Sequence, residues 1–229
     1  MFHKVRRLLS GSGHVLLEVA LIIFSILFAF WVDRQREARE AISKRDQYLA
    51  EIARDLDKEL QVSKMNLRDC ENDNRDLWWV ITQIENQKTD SLQEVRNRFF
   101  RTFYKGVFRE FGPNTLDGMQ INGDLELIQD PQLRKWLTTA FGFRNQVQHQ
   151  FELYDQETEA AGGILFEALN PLADNHFKPD PARLFQVSNR KALFQLARRA
   201  NYKGFILQNY ISDLDSARFY LNRFQEQKQ

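Results

Sequence analysis

Residues 15–32 read V-L-L-E-V-A-L-I-I-F-S-I-L-F-A-F-W-V, and Glu18 is the only ionisable residue among them. As an α-helix, this run would be about 27 Å long, which just reaches across a bilayer core of about 30 Å. A basic tail, residues 1–14, precedes the run, and residues 33–229 are hydrophilic with a helical pattern. The sequence therefore predicts a single transmembrane helix at 15–32 that anchors a helical domain at 33–229.

Two other interpretations of the apolar run are less consistent with its sequence. A cleaved signal peptide would explain the basic start, but the apolar part is too long, and residues 30–33 (F-W-V-D) are not a small-x-small cleavage site. A buried core helix is disfavoured because the run is apolar on all faces and follows basic residues close to the N-terminus. An uncleaved anchor is favoured.

The charges that flank the run indicate its orientation. Three basic residues precede it without an acidic one, whereas the three that follow it (Arg34, Arg36 and Arg39) alternate with Asp33, Glu37 and Glu40. Long domains that follow a span cross the membrane largely regardless of charge, so the basic tail should decide the orientation. We expect a cytoplasmic N-terminus and a domain outside the cytoplasm.

The composition excludes several classes of protein. With 32 basic and 31 acidic residues, the net charge is +1, so the chain lacks the basic excess of a nucleic-acid-binding protein. Glycine (10) and proline (5) are scarce, which is typical of helical bundles. Cys70 is the only cysteine, so an intramolecular disulfide is impossible.

The apolar spacing predicts an all-α fold, an N-terminal transmembrane helix followed by a long-helix bundle. Residues 33–87 lack Gly and Pro and carry a helical stripe that begins Ile42, Leu49, Ile52 and Leu56. Polar residues occupy the next slots, so the stripe is predicted to drift towards Met65 and Leu67. The last helix has two heptad series, interrupted only at Lys203. These series are Leu193, Ala200, Leu207, Leu214, Leu221 and Leu196, Lys203, Tyr210, Ala217, Phe224.

Glycine and proline predict the breaks between helices. We expect a flexible break or a close backbone approach at residues 11–13 (G-S-G), a helix ending near Phe111 before Gly112-Pro113, and a helix beginning at Asp130-Pro131. That helix could extend towards Gly162, with a second piece at residues 164–169. Three of the five prolines predict an irregular loop around 171–183.

Four residues share one face of the predicted transmembrane helix: His14, Glu18, Ser25 and Ala29. Small residues on one stripe allow helices to approach closely, and a carboxylate within a span is a functional candidate. We interpret this set as a membrane association face. Two alternatives remain open, namely that Glu18 reaches headgroup water near the membrane surface, or that it belongs to a proton or ion path.

Motifs of catalysis and metal binding are missing from the sequence. The four histidines have no metal-ligand spacing, and no nucleophile elbow, phosphate loop or dinucleotide fingerprint occurs. We therefore predict no enzyme, no cofactor and no metal. The Phe-rich basic segment 99–111 should pack in the core with a solvated basic face, although a membrane or nucleic-acid contact is also conceivable. Of Trp78 and Trp79, one should be core and the other a rim contact.

Two stretches resemble a family of uncharacterised bacterial single-pass membrane proteins, a domain of unknown function. Residues 18–30 (E-V-A-L-I-I-F-S-I-L-F-A-F) are similar to its E-I-V-L-V-V-I-G-I-L-I-A-L span, with Ser25 in place of the usual Gly. The family's Trp-Asn-Glu after the span is replaced here by residues 34–37 (R-Q-R-E). The resemblance implies a basic tail, one span and a helical body, and no established activity.

The second stretch is similar to the family pattern T-x-x-x-L-x-x-S-G-x-L-x-L-I-x-D-x-x-L-R. Here Thr115 leads, Asn122-Gly123 stands for Ser-Gly, and Asp130 and Arg134 follow in register. The stretch should be a structural turn in which Gly123 ends one helix and Asp130 starts the next. Arg134 lies four residues after Asp130 and could pair with it.

These observations lead to a functional hypothesis. We expect a structural or accessory subunit that acts through helix–helix contacts, with the lipid bilayer and either a second copy or a membrane protein as partners. The alternative is an extracytoplasmic ligand-sensing bundle that signals through a membrane partner, and an enzyme is the least favoured class.

Overall fold

The computed structural model describes the backbone of residues 2–105, 109–169 and 186–227. It describes side chains from Leu17 onward within these ranges, except at positions 89, 103–105, 157, 158, 160, 161, 164, 166–169, 187 and 188. The described residues form α-helices and two short 3₁₀ turns, with no strand among them. The predicted all-α class is therefore confirmed.

The described part of the chain contains five α-helices. Helix α1 passes through the predicted transmembrane run without interruption. The helices are α1 (Phe2–Glu85), α2 (Leu92–Lys105), α3 (Thr115–Asn122), α4 (Pro131–Leu169) and α5 (Val187–Glu226). The 3₁₀ turns are Thr89–Ser91, before α2, and Asp124–Leu127, between α3 and α4.

Three predicted breaks were wrong, and the predicted loop at 171–183 lies outside the described residues. Helix α1 continues through residues 11–13, and α4 continues through residues 162–163, because a helical glycine costs only about 1 kcal/mol among good helix formers. Helix α2 is last described at Lys105, and residues 109–111 are not helical. The Asn66 side chain, in α1, binds the Arg109 backbone instead, accepting from its N–H and donating to its C=O, both at 3.1 Å.

The chain divides into two compact units, Met1–Ala50 and Glu51–Gln229. In the first unit, the large apolar side chains from Leu17 to Val32 are between 44% and 67% exposed. Among the residues with described side chains, no helix offers a stretch long and apolar enough to cross a membrane. Val15 and Leu16, the first residues of the apolar run, precede those side chains.

The second unit is a bundle in which neighbouring long helices run antiparallel. Arg190 of α5 lies beside Glu85, and Arg218, further along α5, lies beside Asp57, so α5 runs opposite to α1. Helix α4 is likewise antiparallel to α5, since Trp136 stacks on Tyr220 while Asp155 pairs with Lys203. One end of the core contains Leu77, Val80, Ile81, Ile84, Val95, Phe99, Leu165, Leu193 and Leu196.

The predicted stripe of α1 is buried from Leu49 onward but does not drift as expected. Ile52 and Leu56 are fully buried, whereas Ile42 is half exposed. Met65, to which the stripe was expected to move, is 40% exposed. The core face keeps its register through polar residues instead, and these residues form the candidate site.

Candidate functional site: a buried polar seam

Four polar or polarisable residues follow one another on the core face of α1: Glu59, Ser63, Asn66 and Cys70, which we call the polar seam. Their spacings of four, three and four place them on one face of a helix. All four are buried, with exposures of 6%, 0%, 3% and 6%. Buried groups of this kind are costly unless partners satisfy them, so their contacts reveal what the seam does.

At one end of the seam, Glu59 is held by side chains from two other helices. The Tyr210 hydroxyl of α5 donates to Glu59 Oε1, and Arg144 Nε of α4 lies 3.3 Å from the same oxygen. This Nε is not aligned for a hydrogen bond, so its contact with Glu59 is ionic. Arg144 also donates to the Gly112 carbonyl through Nη2. Three helices and the segment before α3 thus meet at one buried ion pair.

Burial shifts the pKa values of both Glu59 and Tyr210. Burial raises the pKa of Glu59 above its ordinary value, although the Tyr210 hydrogen bond and the Arg144 charge both oppose the shift. Burial also raises the pKa of Tyr210, and the neighbouring Glu59 charge raises it further, so the phenol remains a hydrogen-bond donor. Phe111 and Phe143 lie 5.5 and 6.1 Å from the Tyr210 ring and complete its apolar surroundings.

At the other end of the seam, Lys203 of α5 is buried with 8% of its side chain exposed. Its Nζ lies 4.0 Å from the centre of the Phe151 ring and 4.2 Å from that of Tyr154, both cation–π distances. Asp155 Oδ1 is 3.8 Å away, which is an ion pair but too long for a hydrogen bond. Burial lowers the pKa of Lys203, and the charges of Asp155 and Asp73 oppose that shift.

Cys70 shows no sign of reactivity. Burial raises the pKa of its thiol to about 12, although the nearby Lys203 charge acts in the opposite direction. A thiol with so high a pKa contains almost no thiolate at neutral pH, and the thiolate is the nucleophilic form. Cys70 therefore serves as a small buried side chain.

A second charged cluster joins α1 to α2. Asp76 accepts from Arg98 Nη1 at 3.0 Å and from Arg101 Nη2 at 2.7 Å, and Arg98 also lies 4.3 Å over the Trp79 ring. The expectation of a solvated basic face on this helix was therefore wrong for Arg98, whose side chain is 27% exposed, whereas Arg101 is exposed although it pairs with Asp76. Phe99 is buried, as predicted, and Trp79 packs on the core while Trp78 is 43% exposed against Phe194.

A cavity of about 340 Å³ borders this second cluster and is lined mainly by Asp69, Asp73, Arg75, Asp76, Arg98 and Arg101. Most of the charges around it are engaged: Asp76 binds two arginines, Asp69 binds Arg109, and Arg75 donates to Asn72. Within the described part of the chain, no three His, Cys, Asp or Glu side chains are placed to hold a metal ion. The charged groups connect helices to one another, which is a structural arrangement.

The structure describes the residues of the predicted structural turn. Gly123 follows α3 with a left-handed φ of 74°, which an L side chain adopts only with strain, and Ile128 is fully buried. Asp130 Oδ1 accepts from the N–H groups of Gln132 and Leu133 at 2.8 and 3.0 Å and so caps α4. The Arg134 N–H donates to the Asp130 carbonyl at 3.0 Å, so the observed link is between backbones.

Thr115 has a role that the sequence did not suggest. Asn114 is the N-cap of α3, and Thr115 instead donates its N–H and its hydroxyl to Asp55 Oδ2, at 2.7 and 2.6 Å. Asp55 lies on α1 one turn before Glu59, so the turn is tied to the same helix as the polar seam.

The predicted membrane association face lies in the first unit. Glu18, Ser25 and Ala29 are exposed, and the side chain of His14 lies outside the described residues. The Ser25 hydroxyl donates to the Leu21 carbonyl at 2.8 Å, so it is satisfied within its own helix. The face therefore presents small side chains rather than free hydrogen-bond donors beside Glu18.

Part of the seam could have been found from the sequence. The polar slots of α1 and the Lys203 interruption were visible, but their burial was not expected. Arg144 was missed, although it occupies a core slot of α4 between Leu137 and Phe151, at a spacing of seven from each. Comparisons of this chain with protein-family models, with curated proteins and with solved structures gave no match.

Proposed function

We propose that this chain is a single-pass membrane protein of a bacterial inner membrane that acts as a structural or accessory subunit through helix–helix contacts. Residues 15–32 would be the anchor, with the N-terminus in the cytoplasm and the helical domain in the periplasm. The resemblance to single-pass membrane proteins of unknown function agrees with this proposal. The observation that carries it is the exposed apolar surface of α1 from Leu17 to Val32.

This surface has the chemistry expected of a helix in lipid. Its large side chains are Leu, Ile, Val and Phe, and the penultimate residue of the run is Trp31, an aromatic residue typical of the membrane–water interface. Phe24, Phe28 and Trp31 stack along one side of the helix, with ring centres 6.2 and 5.8 Å apart. Twelve large apolar side chains exposed to water would be very unfavourable, and lipid removes that cost.

Charges within the run should release the protein from membranes. Two lysines at the centre, Ile23→Lys with Leu27→Lys, would together cost about 5–7 kcal/mol of insertion free energy. We expect the wild-type chain in the carbonate-washed membrane fraction and the double variant in the supernatant. Ile42→Lys, at an exposed residue beyond the run, is the matched control and should stay in the membrane. A wild-type chain that washes off would contradict the anchor.

The association face supports contact as the mode of action. Ser25 and Ala29 are small, and with Glu18 they lie within about 40° of one another around the helix, at 100° per residue. Arg36, beyond the run, continues this line and pairs with Glu40 at 3.3 Å. The heptads of α5, in contrast, are buried inside the bundle, so they no longer favour an oligomer.

Cysteine crosslinking tests this face in membranes. In a Cys70→Ala background, Ala29→Cys should give a disulfide-linked pair, or a crosslink to a partner subunit, because its side chain lies on the association face. Leu27→Cys, on the opposite side of the helix and equally in the run, should remain largely monomeric. Equal crosslinking at the two positions, or none at either, would contradict a specific face. Glu18→Leu should reduce the Ala29→Cys product several-fold.

A further inference from the structure

We infer that two copies of this chain associate antiparallel through the exposed face of α5, around a two-fold axis at Ser212. The inference deepens the proposed function and rests on it, since it names a second contact surface of a contact protein. That surface lies entirely in the helical bundle, far along the sequence from the apolar run.

Three phenylalanines lie exposed on one line of α5: Phe194, Phe205 and Phe219. They are 52%, 59% and 60% exposed. Spacings of 11 and 14 residues bring them within about 40° of one another around the helix. Arg198, Ser212 and Glu226 lie near the same line and are exposed as well. We call these six residues the α5 stripe.

A groove beside Phe219 can receive an aromatic side chain. It has a volume of about 640 Å³, and its walls include Phe219, Tyr220 and Trp136 of α4, which stacks on Tyr220 at 5.2 Å. Phe205 lies 14 residues before Phe219, about 21 Å along the helix. Ser212 lies halfway between them and is itself part of the groove wall.

A two-fold axis through Ser212 therefore brings the exposed Phe205 ring of each copy to the groove of the other copy. It places Phe205 of each copy at the groove beside Phe219 of the other copy, so that each protruding ring fills a groove. The small Ser212 side chain at the axis allows the two helices to approach closely. Isologous contacts of this kind close on themselves and give a dimer rather than a filament.

The charges favour the antiparallel arrangement over a parallel one. Residues 186–212 contain no Asp or Glu, whereas the rest of α5 contains Asp213, Asp215 and Glu226 as well as Arg218 and Arg223, and Arg218 is paired with Asp57 of its own chain. The axis brings Arg198 of one copy opposite Glu226 of the other. A parallel pair would instead place Arg198 against Arg198 and Asp215 against Asp215, which is repulsive.

Crosslinking of the full chain in mild detergent tests the pairing. In a Cys70→Ala background, Ser212→Cys should form a disulfide-linked dimer on oxidation. Arg198→Cys alone should not, because its two copies would be about 42 Å apart. A mixture of the Arg198→Cys and Glu226→Cys chains should give a mixed dimer. A dimer from Arg198→Cys alone would show a parallel pair and overturn the inference, as would a monomeric Ser212→Cys chain.

A matched pair of substitutions tests the phenylalanines. Phe205→Asp should reduce the Ser212→Cys dimer at least tenfold. Phe194→Asp removes a similarly exposed ring that packs against Trp78 of its own chain and lies 18 residues from Ser212, further from the axis than the end of the partner's α5 at Glu226, so it should leave the dimer unchanged. Equal effects of the two substitutions on the dimer would contradict the contact between Phe205 and the groove beside Phe219. Loss of this dimer with the chain still in the membrane overturns only this inference, whereas a dimer from a chain that washes off membranes overturns only the anchor.

Discussion

Replacing Glu59 by leucine is expected to lower the unfolding free energy by about 3–5 kcal/mol, because Arg144 would remain buried without its buried carboxylate partner and would keep only the exposed Asp117, at 3.7 Å. Arg144 is 8% exposed at the side chain and cannot deprotonate. The Tyr210 hydroxyl would lose its acceptor as well. Urea unfolding of the full chain in mild detergent, followed by tryptophan fluorescence, measures this loss.

Replacing the other partner, Arg144, by leucine should cause a loss of stability that depends on pH in a different way. Arg144→Leu leaves Glu59 buried, but Glu59 can accept a proton. Burial raises its folded-state pKa, so its contribution to stability is present at low pH and is lost as pH rises through the folded pKa. Without Arg144, only the Tyr210 hydrogen bond opposes the rise in the pKa of Glu59. Arg144→Leu should therefore cost less at pH 5 than at pH 8, whereas the cost of Glu59→Leu should not fall at low pH.

Two comparisons make the result specific. The double variant Glu59→Leu/Arg144→Leu should recover part of the loss, because apolar side chains of similar volume replace a buried pair with little penalty. The pair Arg54–Glu51 lies on the same helix, is 3.9 Å apart and has side chains 70% and 48% exposed. Glu51→Leu should change stability by less than about 1 kcal/mol. Additive losses in the double variant would contradict the ion pair.

The sequence was sufficient for the all-α class and for much of the core. Leu207, Leu214 and Leu221 are fully buried, as their heptad spacing predicts, and Gly123 and Asp130 end and begin helices as their residue types indicate. These are local or periodic properties, which a single helix carries in its own residues.

The polar seam could not be predicted in the same way, because its members come from separate helices. From the sequence of α1 alone, Glu59 is a polar residue that would be expected to face water. Its burial is possible only because Arg144 and Tyr210 approach it from other helices. Likewise, nothing near Arg98 in sequence shows that Asp76, 22 residues earlier, accepts from it. The side chains that satisfy a buried charge are fixed by tertiary structure, which a pattern along one helix does not contain.

Lys203→Met is expected to raise the unfolding free energy at neutral pH by about 1–4 kcal/mol, the opposite sign to Glu59→Leu. Methionine fills a similar length between the Phe151 and Tyr154 rings without a charge to desolvate. Asp155, the ion-pair partner, has a side chain 51% exposed, so water can solvate it after the change. The variant therefore removes a buried charge without leaving another one buried.

The pH dependence of this gain follows from the direction of the shift. Burial lowers the folded-state pKa of Lys203 from its ordinary 10.5, so the wild-type chain gains stability as pH rises from the folded pKa to the unfolded one. The advantage of Lys203→Met should be full below the folded pKa and shrink as pH approaches 10.5. Lys191→Met, at an exposed position on the same helix, should show neither effect. A variant less stable than wild type at pH 7 would instead indicate that Lys203 stabilises the bundle through its cation–π contacts and its ion pair with Asp155.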